Sequence, residues 1–317
     1  MALPALAAVR RAFEGRTIIL AATPAIAPLF EERTPARPDE ILTVDRAREA
    51  AQLRAARADA ILLLRNSFGS AWTARRAGVP ERWGYRADWR RPLLTRAVSR
   101  PRRAVHQVEY YLELVRGLGI EAAAGDALPR IEPLPSTRET ATALLAAAGV
   151  APGERLVGFA PGAAYGHAKR WPPERVAQVI AGLEATAVLV GAAADRETGR
   201  AIESSLPPGV RVVNLIGRTT LRQLVGVVSR CAAFVSNDSG AMHVAAALGV
   251  PLTAIFGPTD ERATAPAGAG ASDVILRKVF CRPCMLRECP IDHRCMKRID
   301  VDAVQDSVRR HLAGPPA

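Results

Sequence analysis

The chain has 317 residues, of which 49% are hydrophobic, 23% charged and 5% aromatic, and its formal net charge is +12. This length suffices for about two domains with hydrophobic cores, and the composition excludes a mainly disordered, collagen-like or coiled-coil chain. No apolar run approaches the ~20 residues of a membrane helix, and no secretory signal is visible, so we expect a cytoplasmic protein.

The positive charge is almost entirely arginine, because the chain contains only three lysines, Lys169, Lys278 and Lys297. Part of this excess is expected from a GC-rich bacterial genome, which favours arginine and alanine codons. The rest indicates attraction to phosphate-rich partners such as nucleotides, anionic lipids or nucleic acids. The sequence shows no nucleic-acid-binding module and few aromatic residues that could stack on bases, so we predict no nucleic-acid partner.

Short β-rich runs alternate with amphipathic helices, which predicts α/β domains with parallel sheets. In the first half, the pattern predicts helices over residues 3–13, 46–57, 70–77 and 106–118, and strands over residues 17–21, 41–44 and 60–64. Residues 125–136 contain three prolines and little periodicity. They are predicted to connect an N-terminal domain, residues 1–135, to a C-terminal domain, residues 136–317.

The same alternation of predicted strands and helices recurs in the second half of the chain. It predicts helices over residues 137–148, 173–183, 221–230 and 241–248, and strands over residues 156–160, 187–190, 210–214, 232–236 and 252–256. We therefore expect two doubly wound, Rossmann-like domains that face each other across a cleft. Ligands of such sheets bind beyond the carboxyl ends of the strands.

A glycine-containing loop with two cations follows the predicted strand 156–160. It begins with Pro161-Gly162 and ends with Lys169-Arg170-Trp171-Pro172, at the start of the next helix. Such a loop can hold a phosphate or sugar hydroxyls at the helix N-terminus. It is equally typical of an ordinary strand–helix connection with an exposed Lys-Arg pair.

A second polar turn, Asn237-Asp238-Ser239-Gly240, follows the predicted strand 232–236. The backbone N–H groups of Ser239 and Gly240 could bind a phosphate while Asp238 reaches a sugar hydroxyl. His243 lies four residues after Ser239, on the same helical face. Alternatively, Asp238 or Ser239 is only the N-cap of the helix, and His243 is a structural residue.

Two weaker signals also follow predicted strands. Gly257-Pro258 turns the chain after strand 252–256, as in many ordinary turns. Arg65, Asn66 and Ser67 place polar groups after strand 60–64. Ser67 or Ser70 is also a suitable N-cap for the helix that follows.

Four of the five cysteines, Cys281, Cys284, Cys289 and Cys295, lie within 15 residues of one another, and Cys231 is predicted to lie in the core. Without an export signal, this cluster favours metal ligation over disulfides. Its spacing is not that of a standard zinc ribbon, so reduced structural thiols are favoured and a metal site is the alternative.

Together these segments resemble glycosyltransferase family 9, from Met1 to about residue 304. The resemblance rests on residues 64–70, residues 82–91 with Trp83-Gly84-Tyr85-Arg86, Pro161-Gly162 through Pro172, Asn237-Asp238-Ser239-Gly240 with Met242-His243, Phe256-Gly257-Pro258-Thr259 and the cysteine-containing tail 281–296. It implies a GT-B fold with the donor on the second domain and the acceptor on the first.

The resemblance further implies inverting transfer of heptose from ADP-L-glycero-D-manno-heptose, without a divalent metal or other required cofactor. The acceptor would be the phosphorylated lipid A of the lipopolysaccharide inner core, bearing Kdo and a first heptose. Such an enzyme would contact the inner face of the inner membrane from the cytoplasm, where the positive charge favours a phosphorylated acceptor.

The resemblance assigns roles to residues of both domains. Lys169 would neutralise the leaving diphosphate, Asp238 would bind heptose hydroxyls, and His243 would support the phosphate or orient its loop. The remaining donor-site residues would be Gly162, Arg170, Asn237, Ser239, Gly240 and Gly257. The acceptor would face Arg65, Asn66 and Ser67.

The beginning of the chain departs from the family pattern, in which a strand and a loop with Gly-Asp precede the first helix. The loop aspartate is implied to be the general base, and we interpret its absence as a start codon assigned too late. Because a general base contributes about 10²–10⁴-fold, the alternative is an impaired homologue that binds ADP without transfer. A transferase with another ADP-sugar or acceptor, and a metal- or nucleic-acid-binding protein, are further alternatives.

Overall fold

The computed structural model describes residues 1–123, 128–163 and 166–314. The chain divides into two compact units, Met1–Pro129 and Arg130–Ala317. This division precedes the predicted boundary at residue 135, because buried Ile131 donates its N–H to the Ala247 carbonyl of the second unit, at 2.8 Å. Residue 124, residues 125–127 of the predicted connection, and residues 164–165 of the glycine-containing loop lie outside the described residues.

In the first unit, all strand pairs are parallel, as predicted. Its helices are α1 (Leu3–Ala12), α2 (Glu49–Ala55), α3 (Phe68–Arg76) and α4 (Gln107–Gly117), and its strands are β1 (Ile19–Ala22), β2 (Glu40–Thr43), β3 (Ala60–Leu63), β4 (Glu81–Tyr85) and β5 (Arg96–Val98). The described strands form two sheets, β1-β2 and β3-β4-β5, rather than a single one.

The second unit contains one six-stranded parallel sheet of order β11-β10-β9-β6-β7-β8. Its strands are β6 (Leu156–Ala160), β7 (Thr186–Leu189), β8 (Val212–Asn214), β9 (Ala233–Asn237), β10 (Leu252–Phe256) and β11 (Ser272–Leu276). Its helices are α5 (Pro135–Ala147), α6 (Pro173–Ala181), α7 (Arg196–Ser205), α8 (Leu221–Ser229), α9 (Gly240–Ala247), α10 (Glu261–Thr264), α11 (Arg294–Lys297) and α12 (Val301–Ala313). The strand order reverses between β6 and β9, which is where open α/β sheets bind ligands.

Helices cover both faces of this sheet, so its central strands are entirely buried. Helices α5, α8 and α9 contribute to the core on one face, and α6, α7 and α12 contribute to the core on the other. Cys231 lies in the first of these cores, as predicted, and burial raises the pKa of its thiol to about 12. Among the described residues, no helix has both the length and the apolar character needed to cross a membrane.

The tight packing predicts the effect of one added methyl group. Gly158 lies in the middle of β6, where a Cβ atom would overlap the Phe234 ring and lie 2.9 Å from the Cys231 sulfur. We expect Gly158→Ala to lower the free energy of unfolding of the second unit by about 1–3 kcal/mol through overpacking. Calorimetry measures this, with Gly69→Ala as control, because a Cβ on exposed Gly69 would meet no atom within 4 Å. An unchanged transition in Gly158→Ala would contradict the expectation.

Candidate functional site

The loops that follow β6 and β9 are joined by a side-chain contact at the reversal point of the sheet. Asn237, the last residue of β9, is 2% exposed. Its amide nitrogen Nδ2 donates to the Pro161 carbonyl at 2.6 Å, and lies 3.5 Å from the Gly162 carbonyl. Asn237 is therefore a positioning residue that fixes the start of the glycine-containing loop.

A buried ion pair lies between the same two loops. Lys169 Nζ is 2.6 Å from Asp238 Oδ2, and the two side chains are 12% and 7% exposed. The Thr259 hydroxyl, from the loop after β10, donates to the same carboxylate oxygen at 2.7 Å. The structure thus places Lys169 and Asp238, which were both assigned to the donor, in direct contact, and adds Thr259, to which no role had been assigned.

Arg170 is held by an acidic residue that the sequence analysis missed. Its Nη2 atom lies 3.1 Å from Oδ1 of Asp195, whose Oδ2 accepts the Ala192 N–H at 3.2 Å. A Cβ atom on Gly162 would overlap the Asp195 carboxylate, so this packing requires glycine there. In the part of the chain that the structure describes, the Arg170 Nε donor is buried without an acceptor.

The N-terminus of α9 is open. Ser239 is the N-cap residue, as the alternative interpretation anticipated, but its side chain makes no capping hydrogen bond. Its hydroxyl instead lies 3.1 Å from the Ser236 hydroxyl. A Cβ atom on Gly240 would meet no atom within 4 Å, so space remains in front of the first helical turn. His243 is half-buried one turn further along α9.

The loop after β10 is braced by Arg282 from the C-terminal tail. This side chain is 7% exposed, and it donates to the Gly257 carbonyl, to the Thr259 carbonyl at 2.8 Å and to the Glu261 carboxylate at 2.7 Å. A Cβ atom on Gly257 would overlap the Met296 sulfur. Gly257 is therefore required for packing against the tail.

The tail also contacts the loop that carries Lys169. The Ala168 N–H donates to the Arg287 carbonyl at 3.0 Å, and the His167 N–H donates to the Glu288 carboxylate at 3.3 Å. One segment of the tail therefore supports the loops of both Lys169 and Thr259.

The four tail cysteines are free thiols in this structure. Burial, and then the nearby thiols of Cys281, Cys284 and Cys289, raise the pKa of the Cys295 thiol. The Cys289 sulfur accepts the His293 N–H at 3.3 Å. Within the described ranges, no three His, Cys, Asp or Glu side chains are placed to share a metal ion. A structural metal therefore stays a prediction.

Two of the three residues assigned to the acceptor, Ser67 and Arg65, form contacts with other residues of the first unit. Ser67 is the N-cap of α3, and its hydroxyl accepts the Ser70 N–H at 3.3 Å, as the alternative interpretation anticipated. Arg65 forms an ion pair with Glu49 at 2.7 Å. Both contacts fix the loop that follows β3.

Asn66, the third of these residues, lies between two further side chains. It donates to the Tyr110 hydroxyl at 2.7 Å and accepts from Arg90 Nη2 at 3.1 Å. Arg90 is fully buried and also donates to the Arg65 carbonyl. Nothing in the sequence pattern indicated that this arginine is buried.

A family model described as glycosyltransferase family 9 (heptosyltransferase) matches residues 46–294. The chain belongs to glycosyltransferase family 9. It is 38% identical over 230 residues to the lipopolysaccharide heptosyltransferase 2 of Salmonella typhimurium, an alignment covering 70% of this chain and 66% of that protein. The Escherichia coli K12 protein of the same name is 37% identical over 222 residues, or 68% of this chain and 64% of that one. The alignments thus span slightly under two thirds of these relatives.

Solved structures of family 9 proteins share the fold. The structure of E. coli ADP-heptose LPS heptosyltransferase II matches with a TM-score of 0.83 and 29% identity, covering 98% of this chain and 94% of that one. E. coli heptosyltransferase WaaC with ADP matches with a TM-score of 0.71 at 18% identity, covering 98% and 95%. These similarities confirm the predicted GT-B fold class.

Removing the hydrogen bonds of Arg282 should make the amide hydrogens of the loop after β10 exchange faster with solvent. We expect Arg282→Gln to speed amide hydrogen exchange of residues 257–261 by about tenfold or more, because hydrogen bonds from charged groups contribute about 1.5–3 kcal/mol each. Hydrogen exchange followed by mass spectrometry measures this. Arg298→Gln, which removes an exposed arginine of the same tail, is the control. Equal protection in both variants would show that Arg282 does not hold this loop.

Proposed function

We propose that this family 9 chain transfers heptose from ADP-L-glycero-D-manno-heptose to the inner core of lipopolysaccharide, with inversion at the anomeric carbon. The observation that carries the proposal is the convergence of three strand-end loops on the Lys169–Asp238 pair, where the sheet order reverses. Its support comes from the similarity to proteins named lipopolysaccharide heptosyltransferase 2.

The donor diphosphate is assigned to the positive groups around this point. The open N-terminus of α9 offers the backbone N–H groups of Ser239 and Gly240, and a helix N-terminus favours anions. Lys169 adds a full charge. The buried Nε donor of Arg170, which has no acceptor among the described residues, would be satisfied by an anionic ligand.

Lys169 and Asp238 have different roles in this proposal. Negative charge grows on the diphosphate as the bond to heptose breaks, and an ammonium already fixed in position stabilises that charge without reorganisation. Asp238 and Thr259 fix it, because one carboxylate oxygen joins both side chains. The second oxygen, Asp238 Oδ1, is assigned to the heptose hydroxyls.

The acceptor is assigned to the first unit, at Arg65, Asn66 and Ser67. We infer that it is the phosphorylated lipid A that bears Kdo and a first heptose. A net charge of +12 favours such an anionic substrate. The proposal places the protein in the cytoplasm, peripheral to the inner face of the inner membrane.

No cofactor is assigned to the transfer, because the positive groups assigned above serve the role of a divalent cation toward the diphosphate. A structural metal held by Cys281, Cys284, Cys289 and Cys295 is a separate proposal. Its test is the metal content of protein purified without chelators.

A transfer assay tests the function directly. The protein is incubated with ADP-L-glycero-D-manno-heptose and the heptose-bearing acceptor, and ADP release and the mass of the product are followed with and without EDTA. We expect one heptose to be added at a rate that EDTA does not change. Binding of ADP without any transfer would favour an impaired homologue, and loss of the rate in EDTA would contradict metal independence.

Substitution of Lys169 tests its assignment. We expect Lys169→Ala to lower kcat by about 10²–10³-fold, the scale seen when one preorganised stabiliser of transition-state charge is removed. Steady-state kinetics measure this, and calorimetry checks that the variant is folded. Lys297→Ala, which removes an exposed lysine of the tail, should retain the full rate. A folded Lys169→Ala protein with more than half of the wild-type rate would refute the assignment.

A further inference from the structure

An open concavity lies on the first unit, apart from the loops described so far. Its volume is about 300 Å³, and it is lined by Arg86, Ala87, Asp88, Trp89, Arg91 and Arg100. Arg86 directly follows β4, and Arg100 follows β5 by two residues. The concavity therefore lies at the carboxyl edge of two neighbouring parallel strands, where α/β sheets bind their ligands.

Three arginines give this concavity an excess of positive charge. The side chains of Arg86, Arg91 and Arg100 are exposed, and within the described ranges none of them forms a hydrogen bond or an ion pair. Asp88 is the one acidic lining residue. Guanidinium groups that are not committed to protein partners can bind a phosphate bidentately.

The aromatic residue of the concavity is presented in an unusual way. Trp89 is 94% exposed, and its φ is +59°; the preceding residue, Asp88, has a φ of +47°. A bulky residue in the left-handed region is an outlier, and such strain concentrates at ligand sites. An exposed indole offers a large apolar face, against which the apolar face of a sugar ring can pack, and an N–H that can donate a hydrogen bond.

The strained turn is stabilised by hydrogen bonds from Arg90. Its N–H donates to the Ala87 carbonyl at 2.9 Å, and its Nε donates to the Tyr85 carbonyl at 2.8 Å. The same guanidinium bonds to the Arg65 carbonyl and to Asn66, in the loop assigned to the acceptor. A single buried side chain therefore couples the concavity to that loop.

We propose that this concavity binds a phosphorylated sugar of the acceptor. The guanidinium groups of Arg86, Arg91 and Arg100 bind the phosphate, and the Trp89 indole stacks on the sugar ring. A volume of about 300 Å³ suits a ligand of about one sugar unit. The identity of the acceptor rests on the proposed function, whereas binding of the phosphorylated sugar does not require transfer.

A binding measurement tests the proposal without catalysis. The probe is the acceptor oligosaccharide freed of its acyl chains, which keeps the phosphorylated sugars of lipid A, and the comparison is the same oligosaccharide after phosphatase treatment, both titrated by calorimetry. We expect the wild-type protein to bind the phosphorylated form at least about tenfold more tightly, as charge-assisted hydrogen bonds require. Equal affinity for the two forms would overturn the proposal.

Variants locate the site. A triple variant that combines Arg86→Ala, Arg91→Ala and Arg100→Ala should abolish the preference for the phosphorylated oligosaccharide. Trp89→Ala should weaken the binding of both forms by the same factor. Arg75→Ala is the matched control, because it removes an exposed arginine from the last turn of α3 and should change neither affinity. A triple variant that keeps the preference would overturn the proposal.

Two further measurements distinguish this site from the proposed transfer activity and from binding to an anionic lipid surface. In the transfer assay, the triple variant should raise the acceptor KM about tenfold or more and leave the donor KM and kcat unchanged. A wild-type protein that binds the phosphorylated oligosaccharide but does not transfer heptose would refute the proposed function while supporting this site. Arginine-dependent binding to phosphatidylglycerol vesicles, without a preference for the phosphorylated oligosaccharide, would overturn the sugar assignment.

Discussion

The buried contact between Lys169 and Asp238 is the interaction on which the arrangement of the candidate site depends, because it joins the loops that follow the central strands. Removing two charges from water is costly, and attraction offsets this cost only when geometry is good and further hydrogen bonds are made. The Thr259 hydroxyl supplies such a bond to the shared carboxylate oxygen, Asp238 Oδ2. Each of the three side chains comes from a different strand-end loop, so the contact forms only when all three loops are in place.

The topology of the sheet brings these strand-end loops next to one another. Because β6 and β9 are adjacent and parallel, the loops after them leave the same edge side by side. Asn237 then ties one loop to the other, and the Arg170–Asp195 pair extends the network to the loop after β7. The fold thus places the adjacent cations Lys169 and Arg170 at the same edge as the N-terminus of α9, although α9 is distant from them in the sequence.

The sequence predicted strands that carry runs of apolar residues, partly buried β1, β2 and β3 among them, and missed elements whose apolar pattern is interrupted. Strands β6 and β10 were predicted to the residue, because mainly apolar runs mark strands buried on both faces. Strand β4 was missed because Arg82 and Gly84 interrupt its apolar pattern, and α7 was missed because Ile202 is its only large buried apolar residue. The rule for carboxyl edges placed Lys169 and Asp238 at one edge of the sheet, but the sequence did not predict their ion pair. It also did not predict the roles of Asp195, Arg90 and Arg282, since these depend on contacts between segments distant in sequence.

The contacts between the tail and the Lys169 loop have a consequence for synthesis of the protein. His167 and Glu288, which hydrogen-bond to each other, are 121 positions apart. A chain emerging from the ribosome can complete most of the six-stranded sheet before this partner exists, because domains fold in units as they are made. The glycine-containing loop therefore acquires its supported conformation only when the last part of the chain has been translated. The core on the face that α12 covers is completed later still, because Val304 and Val308 follow this part of the tail.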